Sequence, residues 1–249
     1  MIVLKSSDEI ERIGDACRIV GRTIGALKGF VAEGLTTREI EKFAASVIDK
    51  NGGQAAFKGY RGFPGSICTS VNDQVVHGIP SSRKLREGDI IGIDIGVFYK
   101  GFYGDAAITL PVGRVSEAAE TLMRVTAEAL DRGIDAARAE GRVSDISCAI
   151  QGHVEANGFS VVRTFVGHGI GKELHEEPQI PNYGRCGRGA RLRAGMTLAL
   201  EPMVNAGGSR VNVLDDGWTA VTADGSLSAH FEHTVAITEG EPGVLTKHV

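Results

Sequence analysis

Cations are not in excess in this chain of 249 residues: 27 Lys and Arg face 31 Asp and Glu, a formal net charge of −4. That balance argues against a general nucleic-acid surface. No apolar run approaches the roughly 20 residues of a membrane helix. The opening Met1-Ile-Val-Leu-Lys5 is too short for a signal peptide and runs straight into Ser6-Ser7-Asp8. Cysteine is scarce as well. Cys17, Cys68, Cys148 and Cys186 are far apart and form no C-x-x-C pair. That spacing excludes a zinc ribbon or a disulfide scaffold and predicts reduced thiols in a cytoplasmic protein. Low-complexity tracts and flexible linkers are also missing. What remains, 42% hydrophobic and 23% charged, is ordinary for a soluble globular chain long enough to bury a substantial core.

What is present is charge where little is expected. Asp94, Asp105, His168, Glu201 and Glu232 lie in apolar, β-like or Gly-rich surroundings. Asp94 sits inside Asp89-Ile-Ile-Gly-Ile-Asp-Ile-Gly-Val97, and Glu201 inside Met196-Thr-Leu-Ala-Leu-Glu-Pro-Met203. A lone buried carboxylate is costly unless it is paired or bound to a metal, and several together repel one another. On an alternating strand Asp94 shares its face with Gly92 and Gly96, so open space is expected beside it. A single such acid reads better as a helix cap or an arginine partner; two at matching positions in a repeat, flanked by small residues, favour a site.

The chain also repeats itself. Ser6 to Glu9 and Thr36 to Glu39 are capping boxes that open helices, the second ending near Asn51-Gly52-Gly53. Ile10, Ile13, Cys17, Val20, Ile24 and Leu27 form one stripe of the first helix. Ile40, Phe43, Val47 and Ile48 face inward on the second. Further helices are expected from near Ser116 and Ser144, the last stopping at Asn157-Gly158. Leu85-Arg-Glu-Gly88 stands nine residues ahead of Asp94, as Leu192-Arg-Ala-Gly195 stands ahead of Glu201. Asp105 opens a run ending Ala-Ile-Thr109, and Glu232 one ending Ala-Ile-Thr238. His77-Gly-Ile-Pro80 echoes His168-Gly-Ile-Gly171 more weakly. The echoes predict one domain, 1–249, of two similar halves, about 1–113 and 114–249, closing on a shared site.

Four carboxylates and one imidazole suit divalent Mn, Fe, Co or Zn rather than a thiolate zinc site. That much negative charge is better balanced by two ions sharing carboxylates than by one, and such a pair activates water for hydrolysis. His77, His168 and His175 all lie in Gly- or Pro-rich turns. The spacing of His168 and His175 excludes the helical H-E-x-x-H arrangement. One of the three can ligate while the others hold substrate or a developing oxyanion. His233 is expected to point away from Glu232's side, and His153 and His248 to lie outside the site. Arg185 to Arg193, with four arginines and two glycines, reads as a solvated loop, with an anion site as the alternative.

Val76-His-Gly-Ile-Pro80, Gly104-Asp105, Val166-Gly-His-Gly-Ile-Gly171, His175-Glu-Glu-Pro178, Glu201-Pro-Met-Val-Asn205, Asp216-Gly-Trp218 and Ser226-Leu-Ser-Ala-His-Phe-Glu-His233 occur in that order. Together, from about Lys5 to Thr246, they resemble the type I methionine aminopeptidases in their short bacterial-type form. The resemblance implies the pita-bread α+β fold, two pseudo-symmetric halves around a dinuclear metal site. It implies removal of N-terminal methionine from nascent proteins, with a small uncharged second residue preferred and a metal-bridged water as nucleophile. Asp94 and Asp105 would hold one ion; His168, Glu201 and the bridging Glu232 would complete the second, with Asp105 also bridging. Glu201 would accept the water's proton, His175 would stabilise the tetrahedral intermediate, and His77 would contact substrate. Tyr60, Phe63, Cys68, Leu174 and Trp218 would line the methionine pocket. Phe63 and Leu174 depart from the aromatic pattern common at those places, which bears on pocket shape and second-residue tolerance. The implied partners are N-terminal Met peptides and nascent chains, with no direct nucleic-acid or membrane contact. Ribosome contact follows from the substrate alone, and a monomer from the lack of a leftover apolar stripe. Two other readings stay open. One is a proline-directed peptidase of the same fold, which would carry a large extra N-terminal domain. The other is a metal-free adaptor, which would have lost ligands.

Overall fold

The computed structural model describes residues 1–247; His248 lies outside them. Helix α1 (Ser7–Phe30) starts where Ser6 Oγ accepts from the Glu9 N–H while Glu9 reaches back to the Ser6 N–H. Helix α2 (Thr37–Lys50) begins with the same reciprocal cap at Thr36 and Glu39, and Asn51 follows it. These caps satisfy N–H groups that the helix itself cannot reach. The chain then makes β1 (Gln54–Ala55), β2 (Cys68–Val71) and β3 (Gln74–Val76). The long strands β4 (Ile90–Tyr99) and β5 (Phe102–Pro111) pair antiparallel from end to end. The other edge of β4 takes β1 and then β2. Side-chain alternation sends Ile91, Ile93, Ile95 and Val97 into a core with Ile24, Ile40 and Ile48.

The second half replays this plan. Helix α3 (Glu117–Ala136) starts at Ser116, whose hydroxyl accepts from the Ala119 N–H. Helix α4 (Val143–Ala156) starts near Ser144 as expected, with Arg142 as its N-cap residue and Asp145 accepting from the Arg142 N–H. The strands β6 (Ser160–Val161), β7 (Gly167–Gly169), β8 (Glu176–Ile180), β9 (Thr197–Leu200) and β10 (Met203–Asn205) follow. Then come β11 (Val211–Val213), β12 (Ala220–Thr222), β13 (Ser228–His230), β14 (His233–Ala236) and β15 (Gly243–Val244). One sheet runs β15-β14-β9-β7-β8. Its core joins Leu198, Leu200 and Val235 to Leu122, Ile146 and Ile150.

The echoed tetrapeptides form the same turn in both halves. Gly88 and Gly195 each adopt φ 93°, a left-handed conformation open to glycine at little cost. The Gly88 N–H donates to Val112 O, whose own N–H returns to Asp89 O; Gly195, Ile237 and Met196 repeat the pattern. The halves are then stitched together across the middle. Thr234 Oγ1 accepts from the Asp105 N–H at 3.1 Å and donates to Asp105 O at 2.7 Å. Thr109 does the same with His230, at 2.9 and 2.8 Å, and the Glu232 N–H donates to Ala107 O at 2.9 Å. Two threonine hydroxyls thus stand in for missing ladder bonds and bring Asp105 and Glu232 onto adjacent antiparallel segments.

Two expectations require correction. Cys148 on α4 and Cys186 in the following loop are joined by a disulfide with a Cα–Cα separation of 5.4 Å, while Cys17 and Cys68 are free and buried. The pairing arises because the arginine-rich loop docks on α4. The Gly187 N–H donates to Asp145 Oδ1, Arg142 donates to Gly189 O, and Ser144 bonds both backbone groups of Arg188. The loop is exposed, yet tied down. On α2, Val47 is only half-buried and Ala44 is buried with Ile40 and Ile48, while Phe43, half-buried, packs against that core as expected. No helix among the described residues is long and apolar enough to cross a membrane.

Candidate metal centre

Between the halves lies a cavity of about 140 Å³. All the candidate residues named from the sequence line it: Asp94, Asp105, His168, Glu201 and Glu232, with His77, His175, Tyr60, Phe63, Cys68, Leu174 and Trp218. Asp94 comes from the middle of β4, Asp105 from β5 and His168 from β7. Glu201 follows β9, which ends where Pro202 lacks an N–H for the ladder, and Glu232 sits in the link between β13 and β14.

The acid floor is arranged for a cation. One ligand atom each of Asp105, His168 and Glu232 lie within 4.8 Å of one another. Asp94 Oδ1, Asp105 Oδ1 and Glu232 Oε1 are buried with no hydrogen-bond partner among the described residues. Charged oxygens left unmatched in the interior are costly. A divalent ion matched to oxygen and imidazole donors offsets that cost, so the residues fit such a group. His168 Nδ1 lies 2.9 Å from Gly169 O. With its proton held there, the ring presents its Nε2 lone pair to the cavity. That Nε2 is 3.5 Å from Glu201 Oε1.

Burial sets the electrostatics. It raises the Asp94 carboxyl to about 7, against bonds from Asp105 and the Ile95 backbone that lower it. Burial, reinforced by Asp94 and Glu201, holds Asp105 well above the usual carboxylate range. Glu201 and Glu232 rise for the same reasons, burial first and neighbouring acids second. The histidines move the other way. Burial lowers His168 to about 4, and it brings His175 to about 3 with help from His168, Arg61 and His77.

Ion binding must therefore displace protons. Each raised carboxyl is protonated below its folded pKa and ligates only above it, so affinity should climb as pH rises from 6 towards 8. Calorimetric titration of Mn²⁺ into chelator-stripped protein, in two buffers of different ionisation heat, measures both the climb and the proton release. An affinity flat with pH would contradict the raised carboxyls.

The wall above the floor is apolar. Phe63 meets Trp218 edge-on at 5.2 Å, and Leu174 is buried beside them. Asp216 holds the turn that presents Trp218 by accepting from its N–H at 2.8 Å. Tyr60 Oη lies 2.8 Å from His175 Nδ1. His77 takes φ 59°, and its ring stands edge-on to Phe165 at 5.2 Å.

The space expected beside Asp94 is there, since its carboxyl lines the cavity, but the glycines do not leave it open on every side. A Cβ on Gly96 would run into the Phe57 ring, and one on Gly92 would touch Ser70 and Thr109. Phe57 and Arg61, which also line the cavity, escaped the sequence reading because neither lies near an acid in the chain. So did Asn182, whose Nδ2 donates to Glu201 O at 3.0 Å. His230, whose Nε2 is 3.9 Å from Glu201 Oε2, was within reach: it stands two residues from Glu232, on the alternation that gives a shared face. As expected, His233 turns from the cavity, with Nδ1 2.8 Å from Thr246 Oγ1, and His153 pairs with Glu128 at 3.0 Å.

A profile of the metallopeptidase family M24 matches residues 11–239. The chain belongs to metallopeptidase family M24. This M24 chain is 55% identical over 246 residues to a methionine aminopeptidase of Clostridium perfringens, covering 99% of each. It is 51% identical over 247 residues to methionine aminopeptidase 1 of Bacillus subtilis, covering 99% of this chain and 100% of that one. The crystal structure of methionine aminopeptidase from Thermotoga maritima superposes with TM-score 0.98 at 47% identity, covering 100% of both chains. Prolidase from Pyrococcus furiosus shares the fold alone, with TM-score 0.80 and 24% identity over 66% of its chain. The M24 fold is the pita-bread fold expected from the sequence.

Proposed function

We propose that this metallopeptidase removes the N-terminal methionine of newly made proteins, preferring a small uncharged second residue. The observation that carries the reading is the buried floor of four carboxylates and His168 beneath an apolar wall of Phe63, Leu174 and Trp218. Asp94 and Asp105 would hold one divalent ion, of Co, Mn, Fe or Zn, and His168 and Glu201 the second, with Asp105 and Glu232 shared. Such ions, when bound, supply a nucleophile from water at neutral pH.

The chain's own groups do the rest. Glu201, whose carboxylate lines the cavity beside His168, would accept the water's proton. Tyr60 Oη donating to His175 Nδ1 leaves that ring's proton on Nε2. This N–H is the donor for the oxyanion that develops on the scissile carbonyl. His77 contacts the substrate beside the bond. Tyr60, Phe63, Cys68, Leu174 and Trp218 take up the methionine side chain, whose polarisable thioether suits aromatic and sulfur neighbours.

The reading extends to a single catalytic domain, 1–249, with halves of about 1–113 and 114–249. It also includes a monomer acting in the cytoplasm on nascent chains, close to the ribosome. Large exposed apolar side chains are few among the described residues, Met1, Val3, Leu4, Val213 and Leu214, which supports the monomer.

Purified protein supplied with Co²⁺ or Mn²⁺ should release methionine from Met-Gly-Met-type peptides, and chelation should stop it. Methionine release that persists after complete chelation, or no release with any of the four metals, sinks the reading.

A further inference from the structure

His230 is a buried histidine that the chemistry above leaves idle. It ends β13, paired with Met203, and is 4% exposed. Its backbone N–H and carbonyl are both taken by the Thr109 hydroxyl. The ring's Nε2 is different: it is buried and has no hydrogen-bond partner among the described residues. Facing it at 3.9 Å is Oε2 of Glu201, while the other oxygen of that carboxylate, Oε1, stands 3.5 Å from His168 Nε2.

A polar nitrogen buried without a partner carries its full desolvation cost. The separation exceeds the ~2.7–3.2 Å of an N–H···O bond, yet a modest turn of the Glu201 side chain closes it. Asn182 already fixes the backbone carbonyl of Glu201. A donor on Oε2 would restrict the side-chain rotation that this backbone bond leaves free.

We propose that His230 is a positioning residue for Glu201, its Nε2–H donating to Oε2 and so directing Oε1 towards His168 and the ion site. The inference rests on the metal centre proposed above. Groups that orient a ligand in this way are worth about 10–100-fold in metal affinity. An amide N–H at position 230 can make the same bond, whereas an apolar side chain of similar volume cannot.

The test titrates Mn²⁺ into chelator-stripped wild type, His230→Leu and His230→Gln by calorimetry, with thermal melts of each metal-free protein alongside. His230→Leu should bind Mn²⁺ about 10–100-fold more weakly, with kcat falling and KM little changed, and His230→Gln should recover most of both. In the zinc-loaded wild type, ¹⁵N imidazole shifts should report the Nε2–H tautomer. Wild-type affinity in His230→Leu overturns the inference. So does equal loss in the Leu and Gln variants, or an Nδ1–H tautomer. If His230→Leu does not fold, His230→Gln and the tautomer decide alone. A wild type that binds no Mn²⁺ overturns the metal centre itself, and that failure is read without any variant.

Discussion

Glu232→Gln or Asp105→Asn is expected to lower kcat/KM for methionine release by more than the ~100-fold that losing an outer-shell partner costs. Both acids are buried at 3–4% exposure, and each has an oxygen without a partner among the described residues. Asn and Gln keep the volume, so packing survives. What goes is one negative charge and one anionic oxygen at the point where Asp105, His168 and Glu232 converge. In the metal-free state the same variants should fold at least as well as the parent, because the acids repel one another there. The measurement pairs a metal titration with methionine release and a thermal melt. A variant with full activity would remove that residue from the proposed ligand set.

The second large effect is expected at His175. His175→Ala should slow turnover about 10²–10³-fold, the scale seen when one oxyanion donor is lost, while metal stays bound. The ring is held by Tyr60 and packs 4.2 Å from the His168 ring, centroid to centroid, but it is not in the cluster of candidate ligand atoms. Tyr60→Phe should act in the same direction and more weakly, since the imidazole remains but its proton is no longer directed to Nε2. Metal content and kcat read the two roles apart. Loss of metal from His175→Ala would refute the role assigned to it.

Much of the site could be read before folding because misplaced charge is a local signal. Asp94 among isoleucines and Glu201 among leucine and alanine violate the burial rule within a few residues, whatever the fold. The caps at Ser6, Thr36 and Ser116 were equally local, each a side chain closing on an N–H three residues away. The turns at Gly88 and Gly195 were visible because the same backbone problem was solved twice. Phe57 gave no such sign. It reaches Gly96 only because β1 and the segment after it lie along β4, so the space left by that glycine holds an aromatic ring. Arg61 and Asn182 were hidden for the same reason.

The cysteines mark the boundary most clearly. Cys148 and Cys186 are 38 residues apart, and neither spacing nor composition pairs them. Their meeting depends on Ser144 and Asp145 of α4 capturing the backbone of a loop that looked merely solvated.

The sequence by itself determined the helices and their caps, the doubled plan, and which acids and histidines gather in one cavity. Each follows from neighbours within a turn or a strand, where burial cost and backbone hydrogen bonding act at short range. Only the tertiary structure decided how they meet. The hydroxyls of Thr109 and Thr234 draw β5 against the segment 230–234, so two acids 127 residues apart share one floor with His168 between them. The side chains that close around that floor are set by the same long-range packing, which no local pattern encodes.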